Sequence, residues 1–408
     1  MKLKLKTQNK IIQSEIEVSG SKSESNRLLI LQQLYPNLTI NNLSDSDDSH
    51  HLQKALSSSN KIADIGHAGT AMRFLTAFFA SQNGVVKILQ GSERMHNRPI
   101  EILVDALRSI GANITYLEKE GYPPIKIVGQ KLSKSEVSIN GNVSSQYISA
   151  LMLIAPSLPN GLTIKLIGEI TSVPYIKMTI TLLNQIGVEG SFNNNLIKIN
   201  YQPTINNQNV VVESDWSSAS YFYSLLSLSD RNSKIKLTAY KQNSLQGDAV
   251  LTEIYNHFGV TTYFEENSIV ITKSSEPITD TFSRDLKNAP DIAQTIAVTC
   301  FGLGIPCHLT GLHTLKIKET DRLEALKEEL TKLGADIEIT NESLHLKRSH
   351  QMHQNISIET YNDHRMAMAF APLAFKNTIQ INDSEVVTKS FRSFWKDMDK
   401  VGLHIEEL

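Results

Sequence analysis

One pattern of hydrophobic and polar positions repeats along the chain. Apolar residues recur at helical spacing, a glycine follows, and two short stretches of alternating polarity come next. Such spacing indicates an amphipathic helix, and glycine can end a helix because it adopts a positive φ without penalty. The glycines in question are Gly111, Gly187, Gly259, Gly334 and Gly402, which stand 76, 72, 75 and 68 residues apart. The segment 49–66 is a shorter copy without the glycine, and the end of the chain cuts the last copy short.

A second kind of helix falls between these copies. It is apolar around most of its circumference, contains many small residues and opens on polar ones, so we predict that it is buried. Six segments fit this description: 25–34, 69–80, 144–155, 217–228, 291–304 and 363–374. One repeat cannot cover its own apolar helix, and 408 residues are too many for one core. The pattern therefore predicts two domains of three repeats each.

The residues that open the buried helices are unusual for ordinary helix caps. Lys22, Arg27 and Arg365 are cations near predicted helix N-termini, where the helix dipole disfavours positive charge. An external anion would resolve this conflict, because free backbone N–H groups at a helix start also favour anions. Ser144 fits plain N-capping equally well. We interpret the segment 20–27, GSKSESNR, as part of an anion site.

Composition narrows the class of protein. The chain has 40 Lys and Arg, 42 Asp and Glu, and a formal net charge of −2, which argues against nucleic-acid binding. Cys300 and Cys307 lie in an apolar segment and are interpreted as core residues, so a reducing compartment is expected. The first residues predict a strand rather than a signal peptide, and no apolar run reaches the ~18 residues that span a membrane. We therefore expect a cytoplasmic protein with no membrane partner.

Further basic residues lie in the connecting segments. Arg98 stands in RMHNRPI, Lys318 and Arg322 in KETDR, and Lys389 in VTKSF. A single surface arginine is more often a solvated charge, and the acids of KETDR could be ordinary residues of a first helical turn. No His, Cys and Asp cluster has metal-ligand spacing, so no metal is expected.

Taken together, eight segments resemble the 5-enolpyruvylshikimate-3-phosphate (EPSP) synthase family. They occur in the family's order and cover nearly the whole chain. They are GSKSESNR (20–27), AGTAMRFL (68–75), RMHNRPI (94–100), SSQYISALM (144–152), SVPYIKMT (172–179), PDIA (290–293), KETDRL (318–323) and NDHRMAM (362–368).

The resemblance implies an α/β (α+β) fold, an inverted α/β barrel of two domains, each with three βαβαββ repeats and buried helices. The expected domains are 20–213, and 1–19 with 214–408, with the active site in the cleft between them. The implied reaction transfers the enolpyruvyl group of phosphoenolpyruvate to the 5-hydroxyl of shikimate 3-phosphate and releases phosphate, in aromatic amino acid biosynthesis. The resemblance implies no cofactor, and we expect a monomer.

The family's site residues map onto this sequence one by one. The resemblance implies that Asp291, Glu319 and Lys22 are catalytic. Phosphoenolpyruvate is assigned to Lys22, Gly69, Arg98, Gln146, Arg322, Arg365 and Lys389. Shikimate 3-phosphate is assigned to Lys22, Ser23, Arg27, Ser144, Ser145, Gln146, Ser172, Asp291 and Lys318.

Four positions depart from the family pattern: His67, Phe74, Thr314 and Lys316. They bear on the affinity for phosphoenolpyruvate and on the response to the family inhibitor glyphosate. The nearest alternative function is the transfer of enolpyruvyl to UDP-N-acetylglucosamine by a sister enzyme, which uses a reactive cysteine in a mobile loop. More distant alternatives are an enzyme that acts on RNA 3′-phosphate ends and an inactive binding module with the same fold.

Overall fold

The computed structural model describes residues 1–7, 9–171, 173–349 and 351–408. The chain divides into two compact units. The middle unit is Gly20–Val212, and the terminal unit combines Met1–Ser19 with Glu213–Leu408.

Helices of two kinds alternate along the chain, as the hydrophobic pattern predicts. The α-helices are α1 (Lys22–Leu34), α2 (Asp47–Ser57), α3 (Gly69–Ser81), α4 (Glu93–His96), α5 (Glu101–Ser109), α6 (Ser145–Ile154), α7 (Val173–Gln185), α8 (Trp216–Leu228), α9 (Leu251–His257), α10 (Ala293–Leu303), α11 (Arg322–Lys332), α12 (His364–Phe370) and α13 (Phe394–Lys400). Short 3₁₀ helices cover Ala155–Ser157, Gly247–Val250, Pro290–Ile292, His313–Ile317, Ala371–Phe375 and Ser384–Lys389.

The strands are short. They are β1 (Leu3–Thr7), β2 (Gln13–Ile16), β3 (Leu38–Asn41), β4 (Ile62–Asp64), β5 (Val86–Gln90), β6 (Asn113–Tyr116), β7 (Ile125–Val128), β8 (Glu136–Asn140), β9 (Leu162–Ile167), β10 (Gly190–Asn193), β11 (Leu196–Ile199), β12 (Gln208–Val211), β13 (Lys234–Thr238), β14 (Val260–Glu265), β15 (Ser268–Lys273), β16 (Phe282–Asp285), β17 (Cys307–Thr310), β18 (Ile337–Ile339), β19 (Leu344–Leu346), β20 (Ile356–Ile358), β21 (Ile379–Ile381) and β22 (Leu403–Glu407).

Each complete repeat builds one small sheet in the same way. In the repeat that holds α3 and α5, the first two strands are parallel, with Ile62 opposite Ile88. The last strand then pairs antiparallel with the second, with Leu89 opposite Ile125, and the third strand pairs with the last. The resulting order β4-β5-β7-β6 recurs as β8-β9-β11-β10, β2-β13-β15-β14 and β16-β17-β19-β18.

Two repeats depart from what the sequence pattern predicts. The copy that ends at Gly402 is not cut short, because β1 at the N-terminus supplies its last strand and pairs with β21 and β22. The copy around residues 49–66 has only the parallel pair β12 and β3. In this repeat α2 ends at Ser57 and β4 of the next repeat begins at Ile62, which leaves no room for a second pair of strands.

The buried helices form the core of each unit. Helices α1, α3 and α6 contact one another in the middle unit, and α10 contacts α8 and α12 in the terminal unit. In the described residues, five four-stranded sheets and one two-stranded sheet remain separate and do not close into one hydrogen-bonded barrel. The expected α/β fold with buried helices is confirmed, although the sheets around them are discontinuous. Cys300 and Cys307 are both free and buried, as expected.

The glycines that end the amphipathic helices adopt positive φ, but their surroundings differ. Gly259 has a φ of +82°, and a Cβ there would overlap the Ser275 carbonyl oxygen. Gly402 has a φ of +98°, and its added Cβ would stand 4.0 Å from the Asn9 carbonyl oxygen, an ordinary contact. One position is therefore restricted by conformation and packing, and the other by conformation alone.

We expect Gly259→Ala to lower the unfolding free energy of the terminal unit by about 3 kcal/mol, because strain adds to a backbone clash. The control Gly402→Ala should cost only about 1 kcal/mol, since it adds strain alone. Both tryptophans, Trp216 and Trp395, lie in this unit, so urea unfolding followed by tryptophan fluorescence measures it. Equal losses of unfolding free energy in the two variants would contradict the conclusion that packing as well as conformation restricts residue 259.

Candidate active site

A buried arginine organises the charged residues of the terminal unit. Arg322, the first residue of α11, is 2% exposed. Its Nε lies 2.7 Å from Asp363 Oδ2, its Nη1 3.0 Å from Asp291 Oδ1 and its Nη2 2.8 Å from Glu319 Oε2. Burial alone would lower the pKa of Arg322, but the three carboxylates together hold it above its usual value. The guanidinium therefore holds three otherwise separate segments together.

Three cations approach the carboxylate of Asp291, which lies in the 3₁₀ helix ahead of α10. Besides Arg322, Lys318 Nζ lies 3.4 Å from Oδ1 and Arg365 Nη2 lies 3.3 Å from Oδ2. Arg365 also donates to Ser217 Oγ at 3.3 Å. Burial would lower the pKa of Arg365, whereas the nearby Asp291 charge contributes to raising it well above its usual value. These contacts bring together the starts of α8, α10 and α12.

Glu319 receives a second cation from the far end of the chain. Lys389 Nζ lies 2.7 Å from Glu319 Oε1, while Arg322 occupies the other carboxylate oxygen. Asp363 N-caps α12 by accepting a hydrogen bond from the Arg365 backbone N–H at 2.9 Å. Six predicted site residues, together with Asp363, thus form one connected network: Asp291, Lys318, Glu319, Arg322, Arg365 and Lys389.

The middle unit holds a buried arginine of another kind. Arg27 is 2% exposed and donates to Thr179 Oγ1 and Ser149 Oγ, both at 2.8 Å, and to the Ser23 carbonyl oxygen at 2.7 Å. Its guanidinium also lies 5.5 Å from the centre of the Phe74 ring. Burial lowers the pKa of Arg27 to about 10. Its hydrogen-bond partners are thus neutral groups, while the charge of Glu24 in the same helix also acts on Arg27.

Gly69 and Arg98 lie against each other at the start of α3. A Cβ added at Gly69 would stand 2.9 Å from Arg98 Cζ and would clash with its Nη1. The absence of a side chain at residue 69 therefore lets the guanidinium pack on the helix opening. Arg73, one turn further on, donates to the Gly69 carbonyl oxygen at 3.2 Å and to the Pro99 carbonyl oxygen at 2.9 Å.

The starts of α1 and α6 complete this group of polar residues. Lys22 Nζ lies 3.6 Å from Asp48 Oδ2, and the Asp48 side chain is 5% exposed. Ser144 caps α6 by accepting from the Gln146 backbone N–H at 3.4 Å, so the plain capping role holds for it. Gln146 Nε2 donates to Thr70 Oγ1 at 3.2 Å, which joins the openings of α6 and α3.

The comparisons with known proteins agree on one family. The family model for EPSP synthase (3-phosphoshikimate 1-carboxyvinyltransferase) matches residues 50–398. A 3-phosphoshikimate 1-carboxyvinyltransferase of Bacteroides fragilis is 45% identical over 400 residues, which covers 97% of each chain. The chain belongs to the EPSP synthase family.

Other relatives of this family agree. A 3-phosphoshikimate 1-carboxyvinyltransferase of Mannheimia haemolytica is 34% identical and the match covers 96% of this chain and 97% of that protein. The EPSP synthase structure from Acinetobacter baumannii superposes with a TM-score of 0.82 at 20% identity, over 100% of both chains. The enolpyruvyl transferase NikO from Streptomyces tendae reaches 0.71 at 14% identity over 99% of this chain and 98% of that one. The structural matches bear on the fold, and the predictions of the family and of a transferase are confirmed.

The structure groups the predicted site residues by unit. The middle unit holds Lys22, Ser23, Arg27, Gly69, Arg98, Ser144, Ser145 and Gln146, and the terminal unit holds Asp291, Lys318, Glu319, Arg322, Arg365 and Lys389. Ser172 lies outside the described residues. The roles assigned to these residues for the EPSP synthase reaction stay predictions.

Sequence reasoning missed several supporting residues. Ser149 and Thr179 hold Arg27, and Asp363 holds Arg322 although the sequence indicated only its place at the start of a helix. Asp215 caps α8 by accepting from the Ser218 backbone N–H at 2.9 Å. The signal available for Ser149 was its place as a polar residue within an apolar helix, whereas Thr179 lies in the amphipathic helix α7 and gave no such signal. Their partner Arg27 is distant in sequence.

Two departures from the family pattern have partners of their own. His67 Nδ1 lies 2.9 Å from Ser92 Oγ. Lys316 donates to Asn341 Oδ1 at 2.9 Å and lies 3.8 Å from Asp321 Oδ2. The effects that we expect these departures to have on phosphoenolpyruvate affinity and on the response to glyphosate stay predictions.

Two features are absent from the described residues. No group of three or more His, Cys, Asp or Glu side chains has an arrangement that could hold a metal ion. No helix in the described part of the chain combines the length and apolar character required to cross a membrane.

We expect Arg322→Gln to destabilise the terminal unit by about 3 kcal/mol at pH 7, because three carboxylates lose their shared cation. The deficit should shrink as the pH falls towards 4, since protonation removes the repulsion among the acids. Thermal unfolding followed by tryptophan fluorescence measures both effects.

The matched control is Lys347→Gln. Lys347 lies 3.1 Å from both Asp336 Oδ2 and Glu338 Oε1, but its side chain is 48% exposed. Exposed ion pairs contribute little, so this control should change the stability by less than about 1 kcal/mol. An Arg322→Gln variant as stable as this control would contradict a central structural role for Arg322.

Proposed function

We propose that this chain transfers the enolpyruvyl group of phosphoenolpyruvate to the 5-hydroxyl of shikimate 3-phosphate and releases inorganic phosphate. The relatives named 3-phosphoshikimate 1-carboxyvinyltransferase support this reaction. The observation that carries it is the clustering of cations at the starts of buried helices in each unit. Multiply anionic substrates explain why cations lie at the positive ends of helix dipoles.

Each substrate has one phosphate and one carboxylate, so the pair brings about six negative charges. Such charges need many cations and hydrogen-bond donors, and Arg suits both groups because its planar fork binds their oxygens in pairs. For phosphoenolpyruvate we assign Arg322, Arg365 and Lys389 of the terminal unit. The middle unit contributes Lys22, Gly69, Arg98 and Gln146 to the same substrate.

For shikimate 3-phosphate we assign a second set of residues. Arg27 supports this assignment, because a buried cation that donates its hydrogen bonds to hydroxyl and carbonyl groups, and not to a carboxylate, can still attract a nearby anion. The set comprises Lys22, Ser23, Arg27, Ser144, Ser145, Gln146, Ser172, Asp291 and Lys318.

The addition–elimination requires two proton movements. The 5-hydroxyl loses a proton as its oxygen attacks C2 of phosphoenolpyruvate, and C3 gains one. In the second step C3 returns a proton as the C2–O bond to phosphate breaks. We assign Asp291 as the base for the 5-hydroxyl, because its carboxylate can accept a proton while three cations hold it in place. Glu319 and Lys22 are assigned to the proton transfers at C3 and the leaving phosphate.

Transfer to UDP-N-acetylglucosamine is the alternative reaction, and it is not favoured. The sister enzyme with that activity needs a reactive cysteine in a mobile loop. Cys300 lies in α10 and Cys307 in β17, and both are 0% exposed. Burial raises the pKa of the Cys300 thiol well above its usual value, which opposes the thiolate form.

We expect Asp291→Ala to reduce turnover by about 10²- to 10⁴-fold, because the proton acceptor is lost, while substrate binding is retained through the other residues assigned to it. Phosphate release from phosphoenolpyruvate with shikimate 3-phosphate measures turnover, and isothermal titration calorimetry measures binding. Asp399→Ala, which replaces an exposed aspartate of the same unit, is the control. Near-normal phosphate release by Asp291→Ala would refute its role as the base.

The same assay separates the two reactions. We expect phosphate release from the wild-type chain with shikimate 3-phosphate and none with UDP-N-acetylglucosamine. Activity with the sugar nucleotide alone would overturn the proposed function.

We further propose that the chain acts in the cytoplasm as a monomer, without a cofactor, a nucleic-acid partner or a membrane partner. The near-balance of 40 basic and 42 acidic residues supports the absence of a nucleic-acid partner.

A further inference from the structure

A strained turn lies between β20 and α12, directly ahead of the site residue Arg365. The Asp363 backbone N–H donates to the Thr360 carbonyl oxygen at 2.8 Å, and the two residues between them, Tyr361 and Asn362, have φ angles of +54° and +55°. Two consecutive left-handed residues without a glycine are unfavourable, and tyrosine tolerates this conformation less well than asparagine. The surrounding contacts must therefore keep the turn closed.

One face of α11 supplies these contacts. The Tyr361 hydroxyl lies 2.5 Å from Glu329 Oε1, and Glu329 Oε2 accepts a hydrogen bond from the Glu359 backbone N–H at 3.2 Å. Glu329 stands about two helical turns after Arg322, so the two side chains lie on the same face of α11. Arg322 in turn binds Asp363 at 2.7 Å. The chain on both sides of the turn is thus held against α11.

The buried Glu329 is the carboxylate that fixes the position of the Tyr361 hydroxyl. Glu328 Oε2 also lies 2.5 Å from this hydroxyl, but Glu328 is exposed, so water can replace that contact. Glu329 is 0% exposed, and Lys332 Nζ balances its charge at 2.7 Å. Burial and the two neighbouring carboxylates raise the pKa of Tyr361, so the hydroxyl keeps its proton and can donate it to a hydrogen bond.

The closed turn determines where α12 begins. Asp363 Oδ1 accepts from the Arg365 backbone N–H at 2.9 Å, while its Oδ2 binds Arg322 Nε. The Arg365 guanidinium then lies 3.3 Å from Asp291 Oδ2. If the turn opened, Asp363 would move, and both arginines that are assigned to phosphoenolpyruvate would lose their present positions.

We propose that Tyr361 is a positioning residue for phosphoenolpyruvate binding, because its hydrogen bond to Glu329 keeps the turn 360–363 closed and so holds Arg322 and Arg365 in place. The inference rests on the proposed function, in which these two arginines bind phosphoenolpyruvate. Molecules with an open turn bind this substrate poorly, so its KM rises as the fraction of molecules with a closed turn falls.

The test compares the wild type with Tyr361→Phe, which removes only the hydroxyl group. The kcat and the KM for each substrate are measured at a saturating concentration of the other. We expect the KM for phosphoenolpyruvate to rise about fivefold, as when about one fifth of the molecules keep the turn closed. The KM for shikimate 3-phosphate should change less than about twofold, since most residues assigned to it lie in the middle unit. The kcat should also change less than about twofold, because saturating substrate selects the closed turn.

Two controls accompany this variant. Tyr223→Phe removes another buried hydroxyl of the terminal unit, which lies 2.7 Å from Thr262 Oγ1, and it should lower stability without changing either KM. Glu328→Gln should leave both KM values unchanged, because its contact with Tyr361 is exposed. An unchanged KM for phosphoenolpyruvate in Tyr361→Phe, or an equal rise for both substrates, would overturn the proposal. A similar rise in Glu328→Gln would overturn the role of Glu329.

Hydrogen–deuterium exchange of the substrate-free protein tests the turn without the reaction. In peptides that span residues 359–366, we expect the Asp363 and Arg365 backbone N–H groups to exchange at least about fivefold faster in Tyr361→Phe than in the wild type. Tyr223→Phe should exchange there at the wild-type rate. Unchanged exchange in Tyr361→Phe would contradict the proposal. If the wild type released no phosphate with shikimate 3-phosphate, the proposed function would fail instead, whatever the exchange rates.

Discussion

The pairing of Arg322 with Asp291, Glu319 and Asp363 is the interaction on which the terminal unit's site depends. The three carboxylates stand on three segments that are distant in sequence, ahead of α10, α11 and α12. A buried arginine must have hydrogen-bonded partners, and carboxylates brought close together must have a shared cation. The carboxylates give Arg322 its hydrogen-bond partners, and Arg322 gives the carboxylates their shared cation. The contacts that stabilise the network therefore also place Asp291 and Glu319 next to Arg365 and Lys389.

The middle unit stabilises a buried arginine in a different way. Arg27 is as buried as Arg322, but hydroxyl groups, a carbonyl oxygen and aromatic rings surround it. Its hydrogen bonds therefore go to neutral groups. One unit supplies cations that carboxylates hold in position, and the other supplies a cation that neutral groups hold in position. An enzyme that binds anions and also moves protons needs both kinds of environment.

Much of this fold could be predicted because its repeat has a strong local signal. An apolar helix that opens on polar residues, and an amphipathic helix that ends at glycine, follow from side-chain chemistry within a few residues. The strand that completes the last repeat could not be predicted in this way, because β1 lies some four hundred residues from its partner β22. Nothing local in residues 3–7 specifies which strand they join.

The amino-acid sequence alone determined the repeats, the buried helices, the family and the candidates for the site residues. These are properties of local spacing and of motifs, and they do not require knowledge of which segments meet. The tertiary structure alone decided which partners the buried charges have: Arg322 has three carboxylates, and Arg27 has Ser149 and Thr179. The physical reason is that the charge and hydrogen bonding of a buried group depend on neighbours within a few ångströms, whatever their distance along the chain.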